Sequence, residues 1–128
     1  MNDERPRGRL SLRTLAMPAD TNPNGDIFGG WLLSQMDIGG ALAAKARSRG
    51  RVATVALDAM QFHKPVFVGD VVCCYADITR VGRTSVTVHV QVWVIRSATE
   101  QERVKVTEGR FVYVAIDEQR LPREIPAE

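Results

Sequence analysis

The sequence lacks most of the features by which a chain declares a macromolecular partner or a bound cofactor. Its charges nearly cancel, seventeen lysines and arginines against fifteen aspartates and glutamates, for a net of +2. So slight an excess excludes a binder that covers nucleic acid by charge alone, although a local basic rim remains compatible with a phosphorylated ligand. No apolar run approaches the roughly 20 residues that a membrane helix needs. The opening residues, Met1 to Leu10, are charged where a secretion signal would be apolar. The expectation is a cytoplasmic protein with neither nucleic acid nor membrane as partner. Cysteine is scarce, and the two present, Cys73 and Cys74, are adjacent. Neighbours on a strand point to opposite faces, so this pair is badly placed to bridge and its expected role is packing. There is no nucleophile elbow, no Gly-Lys-Ser phosphate loop and no Cys/His set at metal spacing, so no metal site is expected.

What is present fits one domain. The 128 residues are 45% hydrophobic and 25% charged, enough to build one core and too few for two. Residues 1–9, with Pro6 and Gly8, read as a flexible leader, 10–118 as the domain, and 119–128, with Pro122 and Pro126, as an extended tail. A first strand is expected over Leu10 to Met17, stopped by Pro18. Ala19 to Asp26 is dense in turn-forming side chains and reads as a surface loop; it is long for a connector, and long ordered loops often carry function. From Trp31 to Arg49 the chain reads as a helix, apolar almost all round and closed by Gly50. Such a helix should be wrapped by other structure. Gly39 and Gly40 inside it cost roughly 1 kcal/mol each relative to alanine, which implies close approach of another backbone, from a sheet or a second subunit. Four strands follow: Val52 to Phe62, Asp70 to Val81, Thr84 to Ile95 and Val104 to Ile116, the last with Gly109 as a possible bulge. In the third of these Val86, Val88, Val90, Val92 and Val94 share one face, opposite Ser85, Thr87, His89, Gln91 and Trp93. Short turns make neighbours antiparallel, so the fold class is α+β, one antiparallel sheet curling around one helix.

Few residues are left to carry chemistry. His63 ends a strand and His89 lies on the polar side of the valine strand, solvated or at a subunit contact. Asp37 is the anomaly, a carboxylate inside an apolar helix, where an unpaired charge is expensive. It lies on a narrow exposed stripe, or is paired, or is functional, and the glycines after it leave room for another group. A carboxylate can deprotonate water or attack a carbonyl directly, and either suits acyl transfer. Gly29 and Gly30 open the same helix, where free N–H groups at the positive end of the dipole can hold an oxyanion and glycine admits a ligand closely.

The ordered set Asp20-Thr21-Asn22-Pro23-Asn24-Gly25-Asp26-Ile27-Phe28-Gly29-Gly30-Trp31, then Ser34-Gln35-Met36-Asp37-Ile38-Gly39-Gly40, resembles the YciA-type acyl-CoA thioesterases of the hot-dog fold. Phe62 to Tyr75, Val81 to Ser85 and the valine strand match as well, so the similarity spans roughly Leu12 to Pro126. Pro23 stands where the family pattern has a small residue, which stiffens the loop. The resemblance implies a sheet wrapped around the helix, two chains joined edge to edge, and a homohexamer built as a trimer of dimers. It implies acyl-CoA as substrate, with CoA part of substrate and product and no separate cofactor. By position Asp37 matches the catalytic carboxylate, Asn22 the loop amide that orients water or substrate, and Gly29 the amide that polarises the thioester carbonyl. Gly30 and the turn Gly82-Arg83-Thr84-Ser85 would contact substrate, with Arg83 toward phosphate.

Two other functions stand beside thioester hydrolysis. A hydratase or dehydratase on the same fold generally pairs an acid with a histidine near the helix, and this helix has none. A non-catalytic acyl-CoA-binding module would bind the ester without releasing thiol.

Overall fold

Five β-branched valines on one side of a strand set the centre of the structure. In the computed structural model, which describes residues 4–96 and 103–128, Val86, Val88, Val90, Val92 and Val94 are all fully buried. Full burial of a side chain of this size contributes about 1.5–3 kcal/mol, and these valines line the sheet face on which the helix lies. The elements are β1 (Arg9–Leu15), a single 3-10 turn (Pro18–Asp20), α1 (Gly29–Ser48), β2 (Val52–Phe62), β3 (Val71–Val81), β4 (Ser85–Ile95) and β5 (Arg103–Ala115). The strands form one antiparallel sheet in the order β1-β3-β4-β5-β2. The expected short connection between β4 and β5 falls on residues 97–102, outside the described residues, as do the first three residues of the leader.

Cys74 packs in the main core beneath the helix while Cys73 joins Tyr75 and Trp93 on the opposite face, as strand alternation requires. Both are free. Burial, with Cys73 alongside, pushes the Cys74 thiol up to about 12, which makes it inert.

Several local expectations are corrected. Gly39 and Gly40 are not approached by another backbone but by side chains of the sheet. A Cβ on Gly39 would press on Cys74, and one on Gly40 would collide with the Tyr113 hydroxyl. The helix is not wrapped all round, for Ile38 and Leu42 stay about half exposed. It ends where Gly50 implies, but the left-handed residue is Arg49, with φ 59° and ψ 42°. Gly50 instead leaves room for the Arg123 guanidinium. Gly109 is regularly paired with Val90; the bulge lies opposite it, in β2 between Asp58 and Gln61, where Ala59 takes φ 54° and Met60 fills the space over Gly109.

Both ends of the described chain fold back onto the sheet. Glu4 pairs with Lys105, the Arg7 N–H donates to Gln91, and its guanidinium reaches Asp77. The C-terminal segment turns at Asp117, bridges Ile116 to Pro122 and then runs without regular structure. Arg123 donates to the carbonyls of Ser48, Ile116 and Arg51, so it caps the last turn of α1 from the far end of the sequence.

Candidate active site

Asp37 lies midway along α1, half-buried, on the side facing β2. Its Oδ1 accepts a 2.7 Å hydrogen bond from the Thr54 hydroxyl. Among the described residues its Oδ2 has no partner, so one carboxylate oxygen is oriented and the other is free to act. The backbone is fixed too, because the Tyr113 hydroxyl, admitted by Gly40, donates to the Asp37 carbonyl at 2.9 Å. Burial, and then the charge and hydrogen bond of Asp37, push the Tyr113 phenol well above its ordinary range, so it remains a donor. The room expected beside Asp37 is therefore occupied by Tyr113. Neither Thr54 nor Tyr113 was found by sequence reasoning. Gly40 carried the signal for Tyr113, since a costly helix glycine needs a large neighbour.

Gly29 and Gly30 are the first two residues of α1, preceded by Phe28 with no side-chain cap, and both are exposed. Their N–H groups have no acceptor among the described residues. Nothing in the chain lies within 4 Å of where a Gly30 Cβ would sit, and only the Phe62 ring, at 3.6 Å, approaches that of Gly29. An uncapped, accessible helix start of this kind suits an oxyanion or a carbonyl. Eight residues at 1.5 Å each separate Gly29 from Asp37 by about 12 Å. One chain cannot bring both to a single thioester carbonyl.

The loop before the helix is built by its own side chains. Asn22 Oδ1 accepts from the N–H groups of Asn24 and Asp26 at 2.9 and 3.1 Å, and Asp20 accepts from that of Met17. Its ends are held where Ile27 donates to Val66 and Phe28 to Asp20. Asn22 thus shapes the loop through its oxygen, while among the described residues its side-chain N–H₂ has no partner. Asn22 does not touch Gly29 or Asp37 of its own chain.

The turn Gly82-Arg83-Thr84-Ser85 joins β3 to β4, with the Gly82 N–H on the Ser85 carbonyl and the Thr84 carbonyl taking the Ala115 N–H. Arg83 is largely exposed and meets Glu124 at 3.4 Å. Its carbonyl accepts from the Ile125 N–H, so the C-terminal segment ties this turn to the Arg123 cap and places it at the C-terminal end of α1.

The histidines lie elsewhere. His63 is bonded to Glu108 at 2.8 Å and His89 at 3.2 Å. The expectation of a solvated His89 is corrected, since its side chain is mostly buried and paired within the chain. Burial, then the nearby Arg7 charge, lowers the His89 pKa. With Nε2 engaged, a protonated ring would also bury an Nδ1–H that has no acceptor among the described residues. For Glu108 burial acts upward, but the bonds from His63 and Lys105 and the charges of Lys105 and His89 together bring it down to about 2. Because His89 is neutral near pH 7, Lys105 supplies the lasting charge on this carboxylate.

Comparison with known proteins gives the family. The model of the thioesterase superfamily matches residues 24–100. The acyl-CoA thioester hydrolase YciA of Escherichia coli K12 is 58% identical over 125 residues, 96% of this chain and 95% of that one. The chain belongs to the YciA-type acyl-CoA thioester hydrolases. Among solved structures similar to this YciA-type chain, a hexameric broad specificity acyl-coenzyme A thioesterase, solved as an aspartate-to-alanine mutant, is 55% identical with a TM-score of 0.92, over 95% of this chain and 89% of that one. A hexameric hotdog fold thioesterase of Campylobacter jejuni is 40% identical with a TM-score of 0.88, over 93% and 91%. The YciA-type chain therefore has the hot-dog fold, one helix against a five-stranded antiparallel sheet. Among its described residues no helix is long and apolar enough to cross a membrane.

Proposed function

We propose that this chain hydrolyses acyl-CoA thioesters to the free acid and CoA at a site shared by two copies of the chain. The observation that carries the reading is the pairing of a half-oriented carboxylate, Asp37, with an uncapped helix start at Gly29 about 12 Å away along the helix, too far for the two to serve one carbonyl within a single chain. A second copy closes that gap when its Gly29 lies opposite the first copy's Asp37. Support comes from the edge of the sheet, where β2 has no outer neighbour and exposes Val55, Leu57 and Phe62, while α1 exposes Ile38 and Leu42. An edge this apolar is covered in a stable protein. Relatives that are hexamers support a trimer of such dimers.

In the proposed reaction the Gly29 N–H of one copy donates to the thioester oxygen and stabilises the charge that develops there. Asp37 of the other copy takes a proton from water as water adds to the carbonyl carbon, or attacks that carbon itself to give a mixed anhydride that water then cleaves. In both routes the C–S bond breaks and CoA leaves as thiolate, which then takes up a proton. Water is the one co-reactant, so no cofactor is required. The Asn22 N–H₂ orients water or substrate, and Gly30 lets the ester approach. The turn Gly82-Arg83-Thr84-Ser85 meets the CoA arm, with Arg83 available for phosphate because its exposed pair with Glu124 is worth little. A hydratase is disfavoured by the commitment of both histidines to Glu108, away from Asp37.

Asp37→Asn tests the assignment. Thiol release over short, medium and long acyl-CoA esters should fall by about 10²–10⁴ with the fold intact by circular dichroism; near-normal turnover refutes it. Label found in Asp37 after a single turnover in heavy-oxygen water marks the anhydride route.

A further inference from the structure

The turn that leads into β3 carries a buried carboxylate that the proposed reaction does not use. Asp70 is only 4% exposed, and an ionised group at that depth is expensive unless it is paired and bonded. Its Oδ2 accepts from the Phe67 N–H at 2.9 Å and from Arg96 Nε at 3.3 Å. Arg96 directly follows β4. Its Nη2 donates to the Pro65 carbonyl at 2.6 Å, and its guanidinium lies 4.8 Å over the Phe67 ring. We propose that Asp70 and Arg96 are positioning residues for the hydrolysis, holding the loop that bears Asn22 and the Gly29 amide. The inference rests on the hydrolase reading above and adds to it a pair that touches neither substrate nor water.

Backbone bonds connect the pair to the loop. The turn from Phe67 to Asp70 is closed on both sides. The Asp70 N–H donates to the Phe67 carbonyl at 3.0 Å, with Gly69 at φ 93° as such a turn requires, and the Phe67 N–H returns to the Asp70 carboxylate. Val66 therefore sits between two tethered neighbours, Pro65 on Arg96 and Phe67 on Asp70. The Val66 carbonyl takes the Ile27 N–H at 3.0 Å. Ile27 is two residues before Gly29, so at most about 7 Å of chain separates this anchor from the amide. The start of the loop rests on the same turn. The Ala16 N–H donates to the Asp70 carbonyl at 3.0 Å, and the Ala16 carbonyl accepts from Gly69 at 2.9 Å. Both ends of the segment from Met17 to Phe28 thus lean on residues 66–70.

Stability alone does not call for charges here. Ala16, Ile27 and Val66 already lie in the main core. An apolar pair in place of a buried ion pair is often as stable, because desolvation offsets the attraction. What an apolar pair lacks is direction. The guanidinium holds its donors in a rigid planar fork, and this fork spans the Pro65 carbonyl and the Asp70 carboxylate, so it sets the shape of the turn as well as its place. That matters for an oxyanion donor, since a misplacement of about 1 Å can cost on the order of 10²-fold in rate.

Two variants separate geometry from stability. Asp70→Leu combined with Arg96→Met removes both charges and keeps the bulk, so Tm should stay near that of the unaltered protein. Measured well below Tm, kcat for an acyl-CoA should nevertheless fall about tenfold or more, with KM within about twofold. Arg96→Lys keeps a charge for Asp70 but not the fork, and it should also lower kcat. A second readout needs no turnover. With 15N-labelled glycine and asparagine, the Gly29 amide and Asn22 side-chain signals should shift or broaden in both variants, while the Gly109 amide holds still. Normal kcat with unmoved Gly29 and Asn22 signals overturns the proposal, as does a loss of kcat that merely follows Tm. Should the double variant not fold, Arg96→Lys decides on the same criteria. If the unaltered protein releases no thiol from any acyl-CoA, the hydrolase reading fails, and the two signals alone show whether the pair holds the loop.

Discussion

An alanine methyl at Gly40 would run into the Tyr113 hydroxyl, the same hydroxyl that donates to the carbonyl of Asp37. Propensity alone favours Gly40→Ala by about 1 kcal/mol, but relief of the collision must tilt a helix or displace a buried ring. The substitution should therefore lower stability by about 1–3 kcal/mol in urea unfolding, as overpacking does. Tyr113→Phe should cost about 1 kcal/mol for its lost hydrogen bond. The double variant should recover part of the loss, because the clashing oxygen is gone; strict additivity would mean the two residues do not meet. At this scale the site was half legible. Asp37 stood out because a charge in an apolar helix needs a reason, and Gly29 because a helix start without a cap leaves amides free. Thr54 and Tyr113 did not stand out, for a hydroxyl on a strand looks alike wherever it points. Asn22 was legible as a loop-shaping turn residue, which its oxygen is; its place toward substrate comes from the resemblance.

Among the elements, β4 is legible from the period of two in its valines, and α1 from a run of apolar helix formers closed by basic residues. What the period does not record is which strands meet. His63 after β2, His89 on β4 and Lys105 on β5 converge on Glu108, so three strands share one carboxylate. The native state holds Glu108 ionised down to about pH 2, against an ordinary 4.5. A depressed carboxylate stabilises the fold above its unfolded pKa, and that contribution, on the order of 3 kcal/mol, is lost as pH falls from about 4.5 toward 2. The lowered pKa of His89 acts in the same direction. Its unfolded form binds protons below about 6.5 that the folded form refuses, so stability begins to drop there. Tm should thus fall steadily on acidification below neutrality, and Glu108→Gln should flatten the part of the curve below pH 4.5. An unchanged slope in that variant would assign the acid loss to other groups. The Arg123 cap was hidden for a related reason, since its partners Ser48 and Arg51 lie more than seventy residues earlier.

At the level of the whole molecule, a site divided between chains can be tested by mixing two defects. Proline is tolerated at the first helical position and has no N–H, and Phe28 already has the extended ψ of 135° that a following proline requires. Gly29→Pro should therefore silence the amide with little harm to the helix. Coexpressed with Asp37→Asn, it should restore about a quarter of the activity, because half of randomly paired dimers carry one intact site of two. If carboxylate and amide worked within the same chain, the mixture would stay inactive. The proposed divided arrangement is not legible from composition or spacing, which describe one chain; it comes from the resemblance, and the roughly 12 Å between Gly29 and Asp37 supports it physically. The Thr54 hydroxyl adds a consequence. It makes the Asp37 carboxylate answer to a border strand as well as to its own helix, and a border strand quietens when another chain supplies the missing ladder. If the site is shared as proposed, dilution should dim the chemistry twice over: it would remove the opposite half of each site, and it would let the remaining half wander.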